Sequence, residues 1–232
     1  MIPWAAAPTT VDNCLTRNEW ICGAYYSSRA GELGQALLQH LGIVVASVLL
    51  GLAVAFPLAL LARRYRRVEG IVVGATTAVY TIPSLALFSL LVPLTGLGVE
   101  TVVIGLGLYS LTILVRGMVD GFRGVPADVR ESASGMGYGP GRQLFRVELP
   151  LATPTIMGAL RVATVSTVAL TTVGAILDEG GLGDLLVEGQ LSDFKAQVLA
   201  TSVLCVLLAI VLDLLLVGTQ RLLTPWTRRP VT

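Results

Sequence analysis

The side chains that most often carry chemistry are scarce in this sequence. It has one histidine, His40, one lysine, Lys195, and three cysteines, none in a Cys-x-x-Cys or His-x-x-x-His spacing. The sequence therefore predicts no zinc or iron–sulfur site. A phosphate-binding P-loop needs a lysine after a glycine-rich turn, whereas Lys195 follows Asp193 and Phe194. The usual nucleotide-hydrolysing loop is therefore excluded as well.

The stretch from 120 to 151 has residues suited to a contact rather than to a reaction. Pro126 followed by Asp128 is typical of a helix start. The small residues at 132–135 then leave a flat helix face, and Gly137 with the Gly-Pro-Gly at 139–141 predicts the turn that ends the helix. The alternating glycines at 135–141 lack the spacing and the preceding strand of a dinucleotide-binding fingerprint.

The composition places this stretch in a membrane protein. Hydrophobic residues make up 54% of the 232 residues and charged residues 13%, whereas a soluble domain has about 25% charged residues. The net charge of +1 gives no field that would attract a nucleic acid. We therefore expect a lipid-embedded chain with no nucleic-acid partner.

Five stretches are long and apolar enough to cross a bilayer, which takes about 20 residues. They are 41–62, 71–94, 101–119, 152–177 and 196–218. Pro83 predicts a kink in the second, because proline lacks the N–H and clashes with the preceding turn. The expected organisation is an extracytoplasmic segment 1–35, a transmembrane domain 36–220 with a cytoplasmic loop 120–151, and a cytoplasmic tail 221–232.

The basic residues predict the orientation. Thirteen of the sixteen follow the first span, surround the loop 120–151 or close the chain, and only Arg17, Arg29 and Lys195 lie on the other side. By the positive-inside rule the larger set is cytoplasmic. Five spans then put the N-terminus outside and the C-terminus inside. The outer loops are acidic, which is typical of solvated loops and would also suit a docking partner.

Three charged residues fall inside the predicted spans. Arg116, Arg161 and Asp213 are expected near the cytoplasmic ends, where they can reach the interface or pair with one another.

The loop 120–151 resembles the cytoplasmic "EAA" signature of permease subunits of bacterial ABC importers. That signature reads Glu-Ala-Ala, three residues, Gly, nine residues and Ile-x-Leu-Pro. This sequence keeps the register and departs from it at Ser132 and Val147. The matching residues are Glu131, Ser132, Ala133, Gly137, Val147, Leu149 and Pro150.

The stretches 80–98, 145–154 and 180–184 are similar to the osmoprotectant permeases, which import glycine betaine, choline and carnitine. The resemblance covers roughly 37–225. The methionine-uptake permeases share the size, the five spans and a Gly-Gly-Leu-Gly loop. A methionine or other amino-acid permease therefore remains the alternative.

The resemblance implies an all-α, polytopic chain with the type I ABC importer permease fold, as in the methionine permeases. It implies a transport subunit of the bacterial plasma (inner) membrane rather than an enzyme. Its partners would be a cytoplasmic ATPase dimer that carries ATP and Mg²⁺, an extracytoplasmic substrate-binding protein, and a second permease copy or related chain. This chain itself would hold no cofactor. The contact with the ATPase would be made by Glu131, Ser132, Ala133, Gly137, Leu149 and Pro150.

Two other classes fit less well. A membrane-embedded enzyme would need a constellation of His, Cys or paired carboxylates on one side of the bilayer. A secondary carrier often shows inverted repeats. The sequence offers neither pattern.

Hydroxyl and aromatic side chains are candidates for a translocation path. In the fourth span the hydroxyls of Thr164, Thr167 and Thr171 could line a polar path, or they could hydrogen-bond backbone carbonyls. In the second span the candidates are Tyr80, Pro83 and Ser84. Aromatic faces attract quaternary amines through cation–π interactions, but aromatic residues in spans also serve as packing or interface anchors.

Two cysteines precede the first span. Cys14 and Cys22 would face an oxidising compartment, which favours a disulfide between them. Two free or buried thiols remain the alternative.

Overall fold

The computed structural model describes residues 14–228, and every regular element in that range is helical. Predictions that fall on residues 1–13 and 229–232 lie outside the described residues. The α-helices are α1 Gly23–Arg64, α2 Arg66–Thr81, α3 Ser84–Thr95, α4 Val99–Arg123, α5 Ala127–Gly135, α6 Pro140–Gln143, α7 Leu149–Thr171, α8 Leu182–Leu191 and α9 Lys195–Leu223. A π-helical turn, Leu144–Glu148, joins α6 to α7, and 3-10 turns follow α7 and α9 at Thr172–Leu177 and Pro225–Arg228.

The all-α, membrane-spanning architecture is confirmed. Between residues 14 and 228, four helical stretches are long and apolar enough to cross a bilayer: α1, α4, α9 and the continuous stretch Pro140–Leu177 that contains α7. The pair α2 and α3 passes the same test only as a bent pair. The count is therefore five when the pair is taken as one broken span.

The predicted bend of the second span at Pro83 is confirmed, and it is sharp enough to divide the span into two helices. Helices α2 and α3 meet at 100°, so they are two helices separated by a break at Pro83. Proline removes a backbone donor and disfavours helical geometry in the residue before it. Accordingly, Ile82 is extended, with φ −69° and ψ 128°.

The side predicted to be outer contains more helix than the sequence indicates. Helix α1 is 42 residues long, so the predicted boundary at residues 35 and 36 lies inside it. Its first turns pack against α8, a helix that the hydropathy pattern missed. The buried residues of this outer cluster are Cys22, Tyr25, Leu33, Leu185, Ala196 and Ala200.

Helix α4 is the centre of the bundle and is largely buried against α1, α2, α3 and α7. Close contacts here depend on small residues, as they commonly do between helices in membranes. At Gly117, for example, an added Cβ would lie 2.0 Å from the Cβ of Ala159 in α7. The tight packing of α4 on α7 fixes the positions from which the cytoplasmic loop leaves and re-enters the bundle.

Candidate functional site

Helix α5 presents the predicted contact residues at the side predicted to be cytoplasmic. Pro126 immediately precedes the helix in extended geometry, with φ −58° and ψ 145°. Ala133 faces inward and is buried, while Glu131 and Ser132 are exposed. The structure thus leaves an acid and a hydroxyl of the signature free to meet a partner.

Gly137 makes the turn that ends α5. Its φ is +82°, in the left-handed region that favours glycine. The N–H of Gly137 donates to the carbonyl of Ser134 at 2.9 Å, and the N–H of Tyr138 donates to that of Ala133 at 3.1 Å. An added Cβ at this glycine would meet nothing within 4 Å. The requirement for glycine therefore comes from the backbone conformation.

The end of the signature leads into α7. Pro150 lies in the first turn of α7, directly after the π-helical turn, and it offers no backbone N–H to the carbonyls of that turn. Leu149 is half-buried and packs on the main core cluster. Leu149 and Pro150 therefore anchor the helix start, whereas Glu131 and Ser132 are exposed on α5.

Glu148, for which the sequence suggested no role, is fully buried in the π-helical turn. Both of its carboxylate oxygens accept hydrogen bonds from the guanidinium of Arg63, at 2.6 Å from Nε and 2.5 Å from Nη2. The side-chain amide of Gln143 adds a third bond at 3.0 Å. The sequence did contain a signal for this ion pair, namely a glutamate directly before a predicted span on the side that carries the excess of arginines.

A cleft of about 480 Å³ opens beside α5, on the side predicted to be cytoplasmic. It is lined by Ala62, Arg63, Arg66, Glu69, Val119, Phe122, Arg123 and Arg130. Arg123 pairs with Glu69 at 2.5 Å. Among residues 14–228 no carboxylate pairs with Arg66 or Arg130, so the cleft carries an excess of positive charge.

The break between α2 and α3 brings two tyrosines together. The rings of Tyr80 and Tyr109 lie edge to face with centroids 5.5 Å apart. The hydroxyl of Tyr109 donates to the carbonyl of Ile82, at the break itself. Tyr80 is 45% exposed in the single chain, and Pro83 and Ser84 also reach the surface. The site therefore offers an aromatic face beside a polar backbone.

The threonines of α7 hydrogen-bond within their own helix. The hydroxyls of Thr164, Thr167 and Thr171 donate to carbonyls four residues earlier at 2.8 Å, and all three side chains are buried. This geometry favours the backbone-bonding alternative over the polar path. Thr167 also lines a cavity of about 10 Å³ together with Tyr80 and Tyr109, and Thr164 lines an apolar cavity of about 210 Å³ between α1, α7 and α9.

The charged residues within the spans are engaged in contacts. Arg161 binds both carboxylate oxygens of Asp213, at 2.7 and 2.9 Å, and thereby links α7 to α9. Arg116 donates to the hydroxyl of Thr77 at 2.9 Å. Arg161 lies twelve residues after the start of α7, or about 18 Å along the axis.

On the side predicted to be outer, Cys14 and Cys22 are bonded to each other, with an S–S distance of 1.99 Å, the pairing expected from the sequence. Asp184, at the start of α8, accepts a hydrogen bond from the N–H of Gly180 at 2.8 Å. Burial raises the pKa of the Asp184 carboxyl, and hydrogen bonds from the backbone of Gly180 and Gly181 partly oppose that shift.

The family and the proteins that match this chain are all components of transport systems. Residues 47–229 match the family described as "Binding-protein-dependent transport system inner membrane component". The chain is 37% identical over 204 residues to the glycine betaine/carnitine/choline transport system permease protein OpuCD of Bacillus subtilis, covering 88% of this chain and 89% of that protein. It is also 37% identical to the osmoprotectant import permease protein OsmW of Salmonella typhimurium, covering 87% and 96%.

Solved structures show the same fold. An inward-facing conformation of the MetNI methionine ABC transporter contains a chain that superposes with a TM-score of 0.71. The match covers 87% of this chain and 99% of that one, at 20% sequence identity. At that identity the likeness concerns the fold and not the transported solute.

Proposed function

The chain belongs to the family of binding-protein-dependent transport system inner membrane components, and from that premise we propose that it imports osmoprotectants such as glycine betaine, choline or carnitine. It is a permease subunit of an ATP-driven importer rather than an enzyme. The observation that carries the solute class is the identity of 37% over nearly the whole chain to permeases named for these compounds.

The cytoplasmic loop would receive the motion of the ATPase. Helix α5 is short and exposes Glu131 and Ser132, as expected of a helix that docks in a groove of a partner. The positive cleft beside it would complement acidic residues on that partner. ATP and Mg²⁺ would be bound by an ATPase dimer. Movement of α5 would pass through the π-helical turn into α7 and, through Arg63 and Glu148, into α1.

The path for the solute would lie between this chain and a second permease, either a copy or a related chain. The break at Pro83 supports a role in that path, because interrupted helices in membranes occur where backbone lines a cavity or is buried in protein. Tyr80 could face a quaternary ammonium group there through a cation–π contact. The buried, internally bonded hydroxyls of Thr164 and Thr171 make them weaker candidates for lining the path.

The extracytoplasmic binding protein would dock on the outer side, where α8 and the loops around it expose acidic residues. We propose the same orientation as the arginine distribution predicts, with the N-terminus outside and the C-terminus in the cytoplasm. Tyr65 and Val187 are exposed on opposite predicted sides, at 48% and 39%. With Cys205 replaced by serine, a cysteine at 187 should react with an impermeant thiol reagent in intact cells. Reaction of a cysteine at 65 but not of one at 187 would show that the orientation is the opposite of the predicted one.

Reconstitution tests the transport function. The permease, its ATPase and its binding protein are placed in proteoliposomes, and uptake of labelled glycine betaine, choline, carnitine and methionine is measured with and without ATP. We expect ATP-dependent uptake of at least one quaternary amine. Uptake of methionine alone would overturn the solute class while leaving the importer assignment intact. Tyr80→Ala should weaken quaternary-amine uptake more than Tyr80→Phe, which retains the aromatic face.

A further inference from the structure

His40 is the single histidine of the chain, and its ring lies between two backbone carbonyls. The side chain is fully buried in α1. Its Nδ1 is 3.1 Å from the carbonyl oxygen of Gly180, and its Nε2 is 3.0 Å from that of Val168. Carbonyl oxygens only accept hydrogen bonds, whereas a neutral imidazole has a single N–H to donate. A neutral ring would therefore point one nitrogen lone pair at a carbonyl oxygen, and only the imidazolium satisfies both contacts.

We propose that His40 is a positioning residue for the outer loop 178–184, which it holds as an imidazolium donating to both Gly180 and Val168. Loss of one proton removes one of the two bonds, and α1 is then loosened from either the loop or α7. The consequence for transport rests on the proposed function, because it assumes that the outer side receives the binding protein.

The loop is built to sit directly on α1. Gly181 has φ +58°, and an added Cβ would lie 2.8 Å from the backbone nitrogen of His40 and 2.9 Å from the carbonyl oxygen of Ala36. Gly180 is held on both sides, since its N–H donates to Asp184 and its carbonyl faces the His40 ring. The ring therefore completes a set of contacts that already fixes this loop closely against the helix.

A buried charge is tolerated only where hydrogen bonds and an opposite charge compensate it. Burial of the ring disfavours its charged form, and the hydrogen bonds to the carbonyls of Val168 and Gly180, together with the carboxylate of Asp184, oppose that effect. Asp178 acts in turn on Asp184.

Other charged groups near this region are engaged elsewhere. The side-chain amide of Gln39 binds the carboxylate of Glu179 at 3.0 Å. The charged residue of α7, Arg161, lies seven positions before Val168 and is paired with Asp213. In α9, Lys195 and Arg221 lie near the two ends of the helix. Asp184 is therefore the counter-charge of the ring among the described residues.

The two carbonyls belong to elements with different roles. Val168 lies in the last turn of α7, whose first turn receives the cytoplasmic loop, and Gly180 lies in the loop that leads to α8. The His40 ring thus links the outer end of α7 to the outer loop through α1. A change in its protonation would alter the loop without any change in the cytoplasmic contact.

Nitrogen NMR of the imidazole tests the protonation directly, because labelling with ¹⁵N-histidine reports on one residue in an untagged chain. In the permease–ATPase complex in lipid nanodiscs, we expect both ring nitrogens to carry a proton in mildly acidic buffer and one to lose it as the pH rises. Asp184→Asn should move that loss to lower pH. A single neutral tautomer at every pH at which the complex stays folded would overturn the proposal. This result does not depend on the transported solute.

A second measurement tests the positioning role. Affinity of the reconstituted complex for the binding protein should fall about tenfold over the pH interval in which the ring loses its proton, as expected when a charged hydrogen bond is lost. His40→Gln should abolish this dependence of the affinity on pH. Ser47→Ala is the matched control, because Ser47 is equally buried two turns along α1 but bonds only the carbonyl of Ile43 in its own helix. Identical pH profiles for the wild type and His40→Gln would overturn the positioning role. If His40→Gln does not assemble, the NMR titrations of the wild type and Asp184→Asn decide.

Discussion

The carboxylate of Glu148 is fully buried and is bound at both oxygens by the guanidinium of Arg63. Arg63 is the penultimate residue of α1, and Glu148 is the residue before α7. The ion pair therefore joins the ends of two spans on the side predicted to be cytoplasmic, at the exit of the loop that is expected to contact the ATPase. Motion entering α7 from that loop cannot leave α1 unaffected while the pair is intact.

Breaking this pair should destabilise the protein strongly. Arg63→Ala leaves Glu148 buried and unpaired, a situation that costs about 3–5 kcal/mol. Glu148→Ala leaves Arg63, which is 26% exposed and can turn towards water, so its effect should be smaller. Thermal unfolding in detergent measures both variants.

The control is the pair of Arg29 with Glu32 near the other end of α1, where the two side chains are 59% and 41% exposed. Arg29→Ala should lower the stability only slightly, because exposed ion pairs contribute little. Equal loss of stability in Arg63→Ala and Arg29→Ala would contradict the importance assigned to the buried pair.

Gly137 should be required for its backbone conformation. Gly137→Val puts a β-branched side chain at φ +82° and should cost on the order of 1 kcal/mol or more. We expect normal membrane levels, reduced retention of the ATPase and loss of uptake. Gly139→Ala is the matched control, since Gly139 has φ −69° and equal space around it. Similar uptake by the two variants would show that the turn at Gly137 is not required for coupling to the ATPase.

Glu131 should matter for coupling and not for membrane insertion. It is exposed on α5, outside every span, so Glu131→Ala leaves the apolar insertion signals intact. A hydrogen bond from a partner to this charge would contribute roughly 1.5–3 kcal/mol. Co-purification of the ATPase and uptake are the measurements. Asp128→Ala removes an exposed acid from the same helix outside the signature and should retain both; wild-type uptake by Glu131→Ala would reject the assignment.

The disulfide between Cys14 and Cys22 should stabilise the outer cluster. It closes a loop with a sequence separation of 8, for which chain entropy predicts about 2–3 kcal/mol. Replacing both cysteines by serine should expose the start of α1 to faster hydrogen exchange. Mass spectrometry after alkylation should detect two additional reactive thiols upon reduction. An equal number of alkylated thiols with and without reductant would show that the pair is not bonded.

The features predicted correctly from the sequence are those that depend on local chemistry. Pro126 and Gly137 mark the ends of α5 because each has a backbone preference that acts within one turn. The length of the apolar stretches similarly identifies the spans, because a helix needs about 20 apolar residues to cross the bilayer. The arrangement of α5 and its turn, which is the candidate contact with the ATPase, was therefore predictable.

The features that were missed depend on contacts between distant segments. The partner of Glu148 is 85 positions away, and the 100° angle at Pro83 is set by how α2 and α3 pack on α4. Helix α8 has only ten residues and is stabilised by the outer ends of α1 and α9, so hydropathy over a span-length window overlooks it. The roles of His40 and Tyr109 likewise emerge only when their backbone acceptors are brought into place.

The glycines of the outer loop should be required for close packing. At Gly183 an added Cβ would lie 2.5 Å from both the Cα and the carbonyl oxygen of Thr172, and backbone atoms cannot move aside as a side chain can. Gly183→Ala should therefore destabilise the protein by about 1–3 kcal/mol, the usual cost of overpacking, or prevent its assembly. Gly34→Ala in α1 is the control, because its added Cβ meets nothing within 4 Å and alanine favours the helix by about 0.5–1 kcal/mol. Unfolding midpoints in detergent should thus move in opposite directions for the two variants. A midpoint for Gly183→Ala at or above the wild-type value would show that the loop does not sit as closely on the end of α7 as the structure places it.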